Sequence, residues 1–378
     1  MKHSLFAVLL LTLGSVATPA QASVPAISEP SAAHTASPQT TPVAHQSEHS
    51  MNGSITSAHR TAFYCNSEQP SAQAKKTVLL VHGVGTNGEG TYSWNYQNSL
   101  RDAGYDVCLI NLPRSGRANL VESAGYVASG IRLAYERLNK PVAVIGHSAG
   151  PTATLWALRY DHEAATKVDD FISLAGALHG TTFVEPVCQV VGSCPAIGWQ
   201  MSIGSNFMRA MHAQPLPDHI SATSIYSRTD YGIQPADKVS VLDGASNIAV
   251  QDVCAGKVPG HLGILGDPAV YDIVMDALTH DGPADATRLK NVDCYQRVAP
   301  GVDLARSLKV VEGLPQYVQL LTEPRLDVEP KLPDYAAADL EANRSSYEKG
   351  EIGISEGIAG SSQNFGTALS DAARYYAG

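Results

Sequence analysis

The chain has 378 residues, 44% of them apolar and 16% charged, a globular composition that excludes collagen-like and coiled-coil chains. Its 26 Lys+Arg against 36 Asp+Glu leave a formal charge of −10, the wrong sign for attracting a phosphate backbone, so no nucleic acid partner is expected.

Met1, Lys2 and His3 precede an apolar run from Leu5 to Leu13, and Ala20-Gln21-Ala22 stands before Ser23. These are the three parts of a secretory signal peptide, expected to be cleaved after Ala22. The run is too short to cross a bilayer, which needs about 20 apolar residues, and no other long apolar run exists. The sequence thus predicts a soluble protein without a membrane span, secreted to the extracellular space or periplasm, where its six cysteines can pair. Residues 23–62 are rich in Ser, Ala, Pro and Thr and read as a flexible leader that buries too little surface to offset its ordering entropy. Their histidines, His34, His45, His49 and His59, lack the short fixed spacing of a metal site, and no metal is expected.

From Thr77 onward short apolar runs without strict alternation mark strands buried on both faces: residues 77–81, 107–110, 142–145, 171–174 and 224–226. Val127, Ile131, Ala134 and Leu138 form one stripe of a helix between the second and third. Asp267 as N-cap, Pro268 at the first position and the face Val270, Val274, Ala277, Leu278 signal another. Strands alternating with helices predict an α/β fold, a doubly wound and mostly parallel sheet with helices on both faces. The expected catalytic domain spans 63–294, with an apolar, Gly- and Pro-interrupted insertion at 180–217 and a C-terminal extension over 295–378.

The chemistry begins where the strand at Val142 runs into Gly146-His147-Ser148-Ala149-Gly150 and then into a helical stretch. G-x-S-x-G in a strand, turn, helix context is a nucleophile elbow: the tight turn strains Ser148 and projects its hydroxyl, while the flanking glycines let strand and helix pass closely. His147 reads as a packing or orienting residue. A serine needs a base, and the base an orienting carboxylate, in the chain order Ser, Asp, His. Asp230 follows a strand at the edge where such groups gather, with Asp237 and Asp243 as rivals. His261, in a Gly-flanked loop before the last helix, is preferred to His179, His212, His219 and His280. By position, the backbone N–H groups of Val84, in Val81-His82-Gly83-Val84-Gly85, and of Ala149 would receive an oxyanion.

At these residues the chain resembles lipase class 2, secreted α/β-hydrolase lipases typified by the small Bacillus enzymes. VHGVG (81–85), GHSAG (146–150), SIYSRTD (224–230), VSVLDGASNI (239–248) and GHLGIL (260–265) stand in the family's order over about residues 76–280. The VHGVGTNG loop, the TD-x-x-x-QP stretch (229–235) and four cysteine positions are also similar to fungal lipases of the Candida antarctica lipase B type. The resemblance implies Ser148 as nucleophile, Asp230 as acid, His261 as base, Val84 and Ala149 as oxyanion donors, and no cofactor. The insertion at 180–217 and the extension have no counterpart in the small lipases. Cys188 and Cys194 are close enough to close a small loop, and the fungal resemblance implies Cys65 with Cys108 and Cys254 with Cys294. A zinc site is the rival reading of these cysteines.

The expected function is a secreted serine carboxylester hydrolase acting on lipid or other hydrophobic esters through an acyl-enzyme. The alternatives are an extracellular polyester depolymerase and, more remotely, a non-catalytic surface-binding module. The insertion is expected either to pack permanently or to open as a cover over Ser148, presenting Phe183, Trp199 and Phe207 to substrate at a lipid or polymer interface.

Overall fold

Short runs of Val, Leu and Ile that are apolar on both sides suit the interior of a parallel sheet covered on two faces. The computed structural model describes residues 51, 53–182, 188, 192–320 and 322–343, the side chains of 310–314 and 317 excepted. The expected signal peptide, the leader up to residue 50, Phe183 and the tail from 344 lie outside the described residues.

The described chain opens with α1 (Ser57–Ala62), where Thr56 and His59 satisfy each other's backbone N–H in a capping box. Met51 donates its N–H to the Tyr160 carbonyl, and His59 Nδ1 meets Ser129 Oγ at 2.7 Å. The end of the Ser- and Pro-rich stretch is therefore attached to the fold by hydrogen bonds and by Met51 and Ala62, which pack partly buried against the core. There follow β1 (Phe63–Cys65), β2 (Thr77–Val81), α2 (Gly88–Tyr92), α3 (Tyr96–Asp102), β3 (Asp106–Ile110) and α4 (Leu120–Leu138). Then come β4 (Val142–His147), α5 (Ala149–Tyr160), β5 (Val168–Leu174), β6 (Cys194–Pro195), α6 (Ala196–Gln200) and α7 (Asn206–Met211). The order continues through β7 (Ser221–Tyr226), β8 (Ser246–Ala249), α8 (Pro268–Thr279), α9 (Leu314–Leu320), β9 (Arg325–Leu326) and α10 (Asp334–Ala342).

The main sheet has the order β1-β3-β2-β4-β5-β7-β8, all parallel except the edge strand β1. Because side chains alternate along a strand, Leu79 and Val81 of β2 point to the face covered by α4 and α5, and Val78 and Leu80 to the face covered by α3 and α8. After β2 the chain turns one way to β3 and then crosses back to β4 on the other side. The topological switch therefore lies between β2 and β4, where a doubly wound sheet opens a crevice beyond its strands' carboxyl ends.

The described part of the insertion is packed. Ile197 and Met201, then Phe207, Met208 and Met211 of α7, are buried in the same core as α4 and α5, and Phe207 stacks on Trp156 at 4.4 Å. Phe207 is thus a core residue and presents no surface to substrate in this structure, contrary to its expected role, because α5 offers it a flat aromatic partner. Trp199 is half-buried and donates its indole N–H to the Leu326 carbonyl at 2.9 Å.

What covers the insertion arrives from the C-terminal extension. β9 pairs antiparallel with β6, the Glu329 carboxylate accepts the N–H groups of Asn206 and Phe207 at 2.8 Å each, and Tyr335 of α10 packs on Tyr160. Further back, Arg117 aims Nε at Glu323 and its two terminal nitrogens at Gln316 and Gln319, so one buried guanidinium clasps both ends of the α9 segment.

Three disulfides join Cys65 to Cys108, Cys188 to Cys194 and Cys254 to Cys294. The first links facing residues of β1 and β3 and so holds the antiparallel edge strand.

Candidate active site

β4 ends at His147, and the next residue, Ser148, has φ 61° and ψ −116° before α5 begins. This left-handed conformation costs a non-glycine residue on the order of 1–3 kcal/mol, and neighbours hold it. Ser148 N–H bonds the Leu174 carbonyl, and its own carbonyl accepts from Ala177. Glycine is required on both sides by closeness: a Cβ on Gly146 would lie 2.7 Å from the Pro151 nitrogen, and one on Gly150 2.4 Å from the Val81 carbonyl oxygen.

Asp230 sits in the loop after β7. Its Oδ1 accepts the N–H groups of Gly232 and Ile233 at 2.7 and 3.0 Å, which leaves Oδ2 facing His261 Nδ1 at 2.9 Å. On the other side of the ring His261 Nε2 lies 2.9 Å from Ser148 Oγ. Burial alone would raise the Asp230 carboxyl. The hydrogen bond and charge of His261, with the two backbone N–H groups, outweigh it and hold the carboxyl below its usual value. An ionised Asp230 can only accept, so the imidazole proton belongs on Nδ1 and the Ser148 hydroxyl donates to Nε2. Asp230, His261 and Ser148 are all buried, at 2%, 6% and 6% exposure, which keeps competing water off these bonds. Asp237 is in a short helix after the loop, and Asp243 is exposed beside another cavity. Neither rival carboxylate has a hydrogen bond to His261.

Two further histidines frame the site. His147 Nε2 lies 2.9 Å from the His261 carbonyl oxygen, so its N–H pins the backbone of the loop that carries the imidazole. His82 receives the Leu112 N–H on Nε2 at 2.8 Å and bonds the Gly83 carbonyl through Nδ1 at 2.7 Å. That pairing fixes its neutral tautomer and ties the loop after β2 to the loop after β3. Burial pushes His82 down to about 4; burial first, then the proximity of His261, pushes His147 down to about 3, so both stay uncharged at neutral pH.

Gly83 brings the loop of Val84 against the elbow: a Cβ there would lie 3.1 Å from Ser148 Oγ. Gly85 donates to the Ser115 carbonyl, so Val84 is fixed on both sides. Ala149 is the first residue of α5, where backbone N–H groups point out of the helix and the dipole favours negative charge. Tyr231, at 61% exposure, lies edge-on to the imidazole at 6.2 Å, and Leu262, next to His261 in the chain, is exposed at 38%. Of the residues expected to meet substrate in the insertion, Phe207 is buried elsewhere and Trp199 is held by the extension. His82 escaped the sequence reading because its partner Leu112 lies thirty residues away, and a histidine in a Gly-rich loop gives no signal by itself.

No protein-family model matches the chain, so lipase class 2 remains a resemblance. The chain is similar to Lipase B of Pseudozyma antarctica, with 28% identity over 284 residues covering 72% of this chain and 82% of that protein. It is also similar to the crystal structure of Aspergillus fumigatus lipase B, with 29% identity and a TM-score of 0.67, covering 74% of this chain and 71% of that one. A Bacillus licheniformis lipase matches at 16% identity and a TM-score of 0.46, over 58% of this chain and 98% of that one. The fold is that of the α/β-hydrolases.

Proposed function

We propose that this α/β-hydrolase is a secreted serine hydrolase of carboxylic esters with hydrophobic acyl or alcohol parts, a lipase or esterase. The observation that carries the reading is the unbroken chain Asp230 Oδ2, His261 Nδ1, His261 Nε2, Ser148 Oγ, with both links at 2.9 Å, at the sheet's topological switch. Similarity to two fungal lipases supports the substrate class, and the exposed Tyr231 and Leu262 beside His261 suit it.

In this reading Ser148 Oγ attacks the ester carbonyl while His261 Nε2 takes its proton, and Asp230 steadies the imidazolium that forms. Charge passes to the carbonyl oxygen, which the N–H groups of Val84 and Ala149 receive; such fixed donors need no reorganisation as the charge develops. His261 then returns the proton to the departing alkoxide, leaving an acyl-Ser148. Water, deprotonated by the same imidazole, attacks the acyl carbon, and the carboxylic acid departs as Ser148 regains its hydrogen. No cofactor enters these steps. The short apolar N-terminal run and three disulfides support export to an oxidising compartment.

The test pairs p-nitrophenyl esters of increasing chain length and tributyrin with labelling by an organophosphonate. Stoichiometric labelling of Ser148 with parallel loss of ester turnover is expected. Turnover that persists after Ser148 is fully labelled would overturn the reading.

A further inference from the structure

Near the far end of α5, about three turns from Ser148, a second cavity of about 470 Å³ lies between α5, the loop before β7 and the loop before β8. Arg159, His212, Leu216, Pro217, Ile220 and Asp243 are among the residues that line it. Arg159 is only 7% exposed, yet among the described residues no carboxylate lies within ion-pair distance of it, Asp243 acting on its charge from further away, and its buried Nε has no hydrogen-bond acceptor. One terminal nitrogen does bond the Met211 carbonyl and reaches His212 Nδ1 at 3.3 Å. His212 gives Nε2 to the Leu178 carbonyl at 2.8 Å, so it accepts from Arg159 through Nδ1 and remains neutral. The opposite face of the His212 ring is covered by His179, stacked at 4.0 Å. Burial pulls the guanidinium down to about 10, still far above neutral pH, so it is charged.

A buried guanidinium whose charge is offset only from beyond ion-pair distance, by Asp243, is costly, and the terminal nitrogen not engaged by Met211 and His212 can donate to a carboxylate. Leu216, Pro217, Ile220 and Ala213 supply apolar wall beside it. Asp243 and Asp218 stand exposed in the lining, so they oppose any anion and a dianion most. We propose that this cavity is a binding site for a monocarboxylate with a short hydrocarbon tail: one anionic group for Arg159 and apolar contact for the rest. The site is separate from Ser148 and does not depend on what Ser148 does.

The experiment is isothermal titration of the full chain with hexanoate, hexan-1-ol and inorganic phosphate, together with the thermal midpoint in each. Hexanoate is expected to bind saturably and raise the midpoint, with hexan-1-ol and phosphate at least tenfold weaker. Leu216→Trp, which fills the cavity from its half-buried wall and leaves Arg159 in place, should weaken hexanoate at least tenfold, whereas Ser148→Ala should leave it unchanged. Asp243→Asn, at an exposed position, should tighten it about two- to threefold, and this variant decides the matter if Leu216→Trp does not fold. The proposal is overturned by no saturable hexanoate binding, by binding that survives Leu216→Trp, by unchanged binding in Asp243→Asn, or by phosphate or hexan-1-ol binding as well as hexanoate.

Discussion

Ser148 is strained in its backbone and hydrogen-bonded through its hydroxyl, and the two properties have different consequences for substitution. Removing the hydroxyl leaves the elbow's backbone bonds to Leu174 and Ala177 in place, so Ser148→Ala should fold normally. Because triad groups act as a unit, its kcat for ester hydrolysis should fall on the order of 10^4-fold or more; the check is kcat beside the circular dichroism melt, and activity within tenfold of wild type would move the nucleophile elsewhere. Asp230→Asn should cost several orders of magnitude while binding of a substrate analogue persists, since an amide in place of Oδ2 favours the wrong imidazole tautomer. A mild Asp230→Asn beside a crippling Asp237→Asn would reassign the acid. These three side chains were legible because each needs a residue type at a recognisable place: a glycine-flanked serine after a strand, an aspartate at a strand's carboxyl end and a histidine in a glycine-flanked loop. His82 was not, since its work is to bridge two loops that only the fold brings together.

At the level of elements, periodicity read the long pieces well. The runs at 77–81 and 142–145 became β2 and β4, and Asp267 with Pro268 opened α8 as a capped helix start should. β1 and β8 gave no such signal: three and four residues long, they owe their conformation to pairing with β3 and β7 and not to local preference. The insertion shows another limit. Its apolar content was plain, but whether it packs or opens depends on a cover that arrives more than a hundred residues later, in β9 and Glu329. Glu329 satisfies the first N–H groups of α7 as a cap borrowed from a distant segment. Glu329→Ala should therefore lower unfolding free energy by about 1–3 kcal/mol, because the Phe207 N–H loses its partner in a part-buried position. Urea unfolding measures it, and a midpoint unchanged from wild type would mean that water replaces the carboxylate at no cost.

For the whole molecule the doubly wound topology matters most, because it brings loops after β2, β4, β7 and β8 to one edge of the sheet and buries several histidines in doing so. His82, His147 and His179 are held neutral by burial, His82 and His179 down at about 4 and His147 at about 3, against about 6.5 in an unfolded chain. Between those values the unfolded chain binds protons that the folded chain refuses, so unfolding becomes easier as pH falls. The stability these groups contribute is complete above about 6.5 and is lost progressively down to their folded values. Asp170 works the other way: burial, only partly offset by Lys76, raises its carboxyl to about 6, so protonation on acidification relieves the folded state. Asp230, held below its ordinary value, adds a further loss only as pH drops beneath about 4. Near pH 5 the protons taken up on unfolding by these three histidines, and by His212, which burial also holds well below its usual value, outnumber the one released by Asp170. Stability should therefore fall as the pH drops through this range. The measurement is the thermal midpoint from pH 7.5 to 4.5 at fixed ionic strength: a plateau above about 6.5 followed by a steep decline is expected, and a midpoint that stays level down to pH 4.5 would mean that these histidines gain protons inside the folded protein.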